Sequence, residues 1–193
     1  MLIASAKRKE NIAEYLLYMW QIEDIIRAFG LDIERIQHNI IDRVPDINDD
    51  TRRAMREWYE SLIDMMRREE VVGGGHLQIN RNTIGDLADL HRRLLADGRY
   101  QDYTKAFYDA LPVIVDLRSR SGENPPGEVE TCFNALYATL LMRMKKQEIS
   151  PATTDALAKI TRMTALLAAY YAKDERGELF GKDEDDTDET HSC

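Results

Sequence analysis

Five side chains in this 193-residue sequence could do chemistry together if a fold gathered them: Gln21, Glu23, Asp24, Arg27 and His91. Carboxylates beside a guanidinium and an imidazole are the groups of general acid–base work, provided partners come within about 2.6–3.2 Å or one bridging water. The first four interrupt an otherwise apolar stretch. Glu23 stands four residues and Asp24 three residues before Arg27, spacings that share one helix face, where an exposed ion pair is worth roughly 0.2–0.5 kcal/mol. On an outer helix that is all they would be. On a central helix they become a buried polar network, in which any unpaired charge is costly. His91 falls on the face of Ile84, Ala88 and Leu95, where an imidazole is expected to reach a carbonyl or a carboxylate in the core.

Other candidates carry less. Gly73-Gly74-Gly75 lacks the lysine and hydroxyl of a Walker sequence and follows a helical pattern rather than a strand, so it reads as a hinge or helix cap. His76 beside it is expected to be exposed, without a partner at ligand spacing. No Glu-x-x-His pair occurs, which removes the usual signature of a di-metal bundle. Serine-nucleophile, Cys–His and dinucleotide signatures are missing too. Cys132, on an apolar helix flank, reads as packed and inert. The sequence therefore assigns no catalytic residue, no cofactor and no metal ligand.

The elements that must position these residues are helices, since apolar residues recur at three- and four-residue spacing almost throughout. The first is expected over about Ser5 to Phe29, ended by Gly30 in the left-handed conformation. Its middle, Tyr15-Leu16-Leu17-Tyr18-Met19-Trp20, is apolar all round. Such a segment is central to a bundle or covered by a second copy. A short helix capped by Asp32 follows and stops before Pro45. A third is expected from Asp49 or Asp50 to Glu70, a fourth from Asn82 to Asp97, and a fifth from Tyr100 to Ser119 with a kink at Pro112. The sixth spans Glu128 to Gln147, and the seventh opens with Ser150 as cap and Pro151 at its first position. Short connections favour antiparallel neighbours. The expected fold is all-α: a single bundle of about seven helices over residues 1–173.

Charge divides the chain. Residues 174–193 hold nine acids and two bases, a net of −7, which leaves −2 of the total −9 for residues 1–173. A tail so poor in apolar side chains cannot offset its ordering entropy and is expected to be disordered. The body carries its basic residues in pairs near helix ends, such as Arg67-Arg68 and Lys145-Lys146, where cations complement the helix dipole. Nucleic acid is not an expected partner. The longest run without charge is Thr131 to Met142, too short for the roughly 17–25 apolar residues of a membrane helix. Apolar Met1–Ala6 precede rather than follow Lys7-Arg8-Lys9, so no secretory segment is expected and the cytoplasm is the expected location.

Two resemblances arise. Leu87, Leu90 and Leu94 with Gly98-Arg99-Tyr100, Phe107, Ala110 and Leu111 resemble one tetratricopeptide unit. Two positions that the motif keeps small are His91 and Tyr103, and no second copy follows, so the segment reads as an ordinary helical hairpin. The stretches Lys7 to Tyr15, Trp20-Gln21-Ile22-Glu23-Asp24-Ile25-Ile26-Arg27, Leu117 to Gly122 and Glu130-Thr131-Cys132-Phe133-Asn134-Ala135-Leu136-Tyr137 resemble an uncharacterised bacterial family, a domain of unknown function from gut anaerobes. That resemblance implies a cytoplasmic helical protein and carries no activity to any residue.

The expected function is a non-enzymatic helical interaction module that self-associates, as a homodimer or with a protein partner. The alternative is an enzyme or small-molecule binder with a polar pocket between the first, fourth and fifth helices, built on Glu23, Asp24, Arg27 and His91.

Overall fold

Asn11 is extended (φ −157°, ψ 108°) and its side chain accepts the N–H groups of Ala13 and Glu14, so the first long helix, α1, begins at Ile12 rather than near Ser5. A computed structural model describes residues 4, 7, 8 and 10–180. α1 (Ile12–Ala28) ends as expected at Gly30, with φ +69° and the Leu31 N–H closing on the Ile26 carbonyl. Asp32 caps α2 (Ile33–Asn39), and a 3-10 turn follows at Ile41–Arg43. Asn48 caps α3 (Asp49–Arg68). α4 (Gln78–Ala96) starts four residues earlier than its apolar spacing predicts. α5 (Gln101–Ser119) is one continuous helix through Pro112, which is exposed; the helical bond that proline cannot make is thus lost on the solvent side. α6 (Glu128–Met144) stops three residues short of the expected Gln147. Ser150 caps α7 (Pro151–Glu175), with Pro151 at its first position.

The described chain is all-α. α1 packs on α3, α4, α6 and α7, while α7 packs on α1, α4, α5 and α6. None of Tyr15–Trp20 is exposed, so the all-round apolar middle of α1 is enclosed by the chain itself. Leu16, Trp20, Ile26, Leu87, Leu94, Phe133, Ile160 and Leu167 form the centre of one continuous core. α7 runs two residues past position 173, and Phe180 folds back beneath Arg93, whose guanidinium lies 4.0 Å from the ring centre. Residues 174–180 of the tail expected to be disordered are thus ordered against the bundle, and the rest of it, from 181 onward, lies outside the described residues. No helix among them is long and apolar enough to cross a membrane.

Candidate functional site

Glu23 is fully buried, on the same inward face of α1 as Leu16, Met19 and Ile26. Its Oε1 accepts the backbone N–H of Leu77 at 2.9 Å and the Asn80 side-chain N–H at 2.6 Å, and its Oε2 meets His76 Nδ1 at 2.6 Å. Leu77 is the residue before α4 and has no capping side chain of its own. A helix start leaves N–H groups unsatisfied and carries positive partial charge. Here two distant carboxylates supply the cap: Glu23 takes the Leu77 N–H and Glu69 the Gln78 N–H at 2.6 Å. This is why α4 begins at Gln78.

Above the carboxylate the His76 ring stacks on the Trp20 indole, 4.1 Å apart and 12° from parallel, while Phe133 and Tyr137 meet that indole edge-on. With Nδ1–H donated to Glu23, a neutral His76 ring would offer Nε2 as an acceptor and a protonated ring a second donor. Trp20, His76, Asn80, Arg81, Ile84 and Glu130 line a cleft of about 160 Å³. Trp20 Nε1 and Asn80 Oδ1 are buried with no hydrogen-bond partner among the described residues.

The segment bearing His76 is held from outside by Arg27. Its guanidinium donates to the Val71 carbonyl at 3.1 and 3.4 Å and to the Gly75 carbonyl, and pairs with Asp24 at 2.9 Å. Asp24 in turn accepts the Tyr137 hydroxyl at 2.6 Å; burial first, and this carboxylate second, push the Tyr137 phenol above its ordinary value. Gln21 lies apart, its amide N–H near Met144 Sδ at 3.8 Å.

His91 belongs elsewhere. It is buried, with Nδ1 2.6 Å from the Tyr103 hydroxyl, Nε2 3.3 Å from Glu128, and Phe107 against its ring. Burial holds its pKa below the ordinary value, and Glu128 opposes that only in part. Eleven residues separate His91 from Asn80 on α4, about 16 Å along the axis at 1.5 Å per residue. No group of three or more His, Cys, Asp or Glu side chains fit to hold a metal occurs among the described residues. Cys132 is buried against Met163, and burial pushes its thiol up to about 12, which makes it a poor nucleophile.

The model of one family, described as Domain of unknown function (DUF4924), matches residues 1–178. The chain belongs to this family. No curated protein matches it, and no solved structure does.

In this DUF4924 chain the structure thus brings Glu23, Asp24 and Arg27 together around the segment 71–77, but leaves Gln21 at its edge and His91 in a separate buried cluster. The cleft beside Glu23 lies between α1, α4 and α6, not α5. His76, expected to be exposed and unpartnered, is the residue most changed: only 28% of its side chain is exposed and it is paired with Glu23. Asn80, Arg81 and Glu130 carried no signal that set them apart from other polar helix residues. The tetratricopeptide-like hairpin explains itself here, because its two large residues, His91 and Tyr103, hydrogen-bond to each other.

Proposed function

We propose that this DUF4924 chain binds a small polar ligand in the cleft beside the Glu23–His76 pair. The observation that carries this reading is the pair of unpartnered buried atoms, Trp20 Nε1 and Asn80 Oδ1, in two residues of one cleft wall. A buried polar group left unpaired costs about 1–3 kcal/mol. One is a donor and the other an acceptor, so a ligand offering both kinds of group would offset two such costs at once. Both atoms have almost no exposed surface, so a ligand reaches them only when the cleft wall opens, and the His76 ring stacked on Trp20 is the part of that wall next to a glycine run. The glycines that precede His76 supply the backbone freedom for that. At about 160 Å³ the cleft is smaller than the roughly 300–1,000 Å³ of sites for drug-sized molecules. The ligand is therefore small. The buried free thiol of Cys132 fits a cytoplasmic setting for this binder.

A thermal-shift screen of small polar metabolites tests the reading. Binders raise the unfolding midpoint of the native chain, because a ligand of the folded state alone stabilises it by mass action. A broad screen in which no compound moves the native midpoint contradicts it.

Self-association is the second reading. Tyr108, Pro112 and Val115 recur at helical spacing on the outer side of α5, and Tyr108 and Val115 are large apolar residues left exposed. Light scattering that returns the monomer mass over a wide concentration range removes this reading and leaves the first intact.

A further inference from the structure

We infer that the ligand of this cleft is a small zwitterion of the α-amino-acid type, an inference that rests on the small-ligand reading above. Two ionised side chains of opposite sign line the cleft, Arg81 from the first turns of α4 and Glu130 from the first turn of α6. Neither makes an ion pair or side-chain hydrogen bond with another described residue. On the same helix Arg92 holds Asp89, and Arg93 holds Asp174 through two hydrogen bonds. Arg81 is placed against the electrostatic grain. A cation near a helix start meets the positive end of the dipole, and an anion between the two would gain from both.

The pairing of signs narrows the class. A simple anion would satisfy Arg81 and be repelled by Glu130, and a simple cation would do the reverse. A neutral molecule would engage neither charge. A carboxylate and an ammonium on one small skeleton answer both, and the volume admits molecules of the size of glycine or alanine. The unpartnered Asn80 carbonyl oxygen adds a place for an ammonium N–H group, and the Trp20 indole N–H suits a carboxylate oxygen. Arg81 is exposed and Glu130 half-buried, so neither substitution should disturb folding.

The chain has two tryptophans, one in the cleft and one on α3, and their indole N–H signals in a nitrogen-correlated NMR spectrum give a probe and an internal control. The full chain is titrated with glycine, L-alanine, acetate, methylammonium and acetamide. Glycine and alanine are expected to move the Trp20 signal saturably with Trp58 unmoved. Acetate, methylammonium and acetamide should need at least about tenfold more for the same shift, roughly the weight of one lost charged contact. Arg81→Gln and Glu130→Gln should each raise the amino-acid midpoint by about tenfold or more while the melting temperature stays put. Equal response to acetate, methylammonium or acetamide overturns the zwitterion and leaves the small-ligand reading standing. Indifference of the midpoint to either substitution also overturns it. Silence from all five compounds overturns it too, and the broad thermal screen then decides the small-ligand reading on its own.

Discussion

The carboxylate of Glu23 accepts the backbone N–H of Leu77 at 2.9 Å, joining positions 54 apart in the sequence at the start of α4. Glu23→Ala strands the buried Leu77 and Asn80 donors. At about 1–3 kcal/mol for each, the loss of unfolding free energy in urea should be roughly 3 kcal/mol. Glu23→Gln retains one oxygen for those donors but turns an amide N–H toward His76 Nδ1, so its loss should be smaller, about 1 kcal/mol, with the His76 proton transferred to Nε2. Nitrogen NMR of the imidazole reads that tautomer. Equal losses for the two variants would contradict the proposed hydrogen-bond pattern.

Arg27 ties two carbonyls of the glycine segment to α1. Arg27→Ala should therefore speed limited proteolysis between Val71 and His76 severalfold and cost about 1–2 kcal/mol of stability. A cleavage rate unchanged from the native chain would show that the segment is held by His76 and Leu77 alone.

How much of this was legible follows from where each cause resides. Gly30, Asp32 and the Ser150-Pro151 pair act within a few residues of themselves, so the end of α1 and the starts of α2 and α7 could be read by inspection. α4 could not, because Glu23 and Glu69, which cap it, come from other elements. Glu23 itself left a trace: it stands four residues after Met19, seven after Leu16 and three before Ile26, all buried. That register marks it as inward-facing. What it would meet there has no periodic signature, since one partner is a backbone amide and another follows three glycines. Arg27 is more opaque still, as its acceptors on the segment are carbonyls that any sequence would offer.

Glu70 closes α3 in the left-handed region at φ +57°, with the Val71 N–H bonded to the Met66 carbonyl. An L-residue there carries strain of about 1 kcal/mol that glycine does not. The side chain is exposed. Glu70→Gly should thus stabilise the protein by about 0.5–1 kcal/mol, read as a higher urea midpoint. Lys146, at φ +54° after α6, offers an independent repeat of the same measurement.

His91 gives stability a pH dependence of fixed sign. Its pKa is lowered from 6.5 in the native chain, so on acidification the unfolded chain takes up this proton first. The contribution is complete above the unfolded value and is lost as pH falls from there through the lower native one. Between ~pH 7.5 and ~pH 5.5 the urea midpoint should fall more for the native chain than for His91→Gln, which no longer titrates. Parallel falls in the two would assign the effect to other groups.

Gly73 and Gly74 have nothing within 4 Å of the position a Cβ would take, and neither adopts a positive φ; Gly75 does, at +79°. The first two positions therefore accept side chains without steric conflict, two or three residues from the imidazole that covers Trp20. A cysteine introduced at Gly74, on a Cys132→Ala, Cys193→Ser background, offers an attachment point for an environment-sensitive fluorophore. The chain could then serve as a reagentless optical sensor, its emission following the covering and uncovering of the indole.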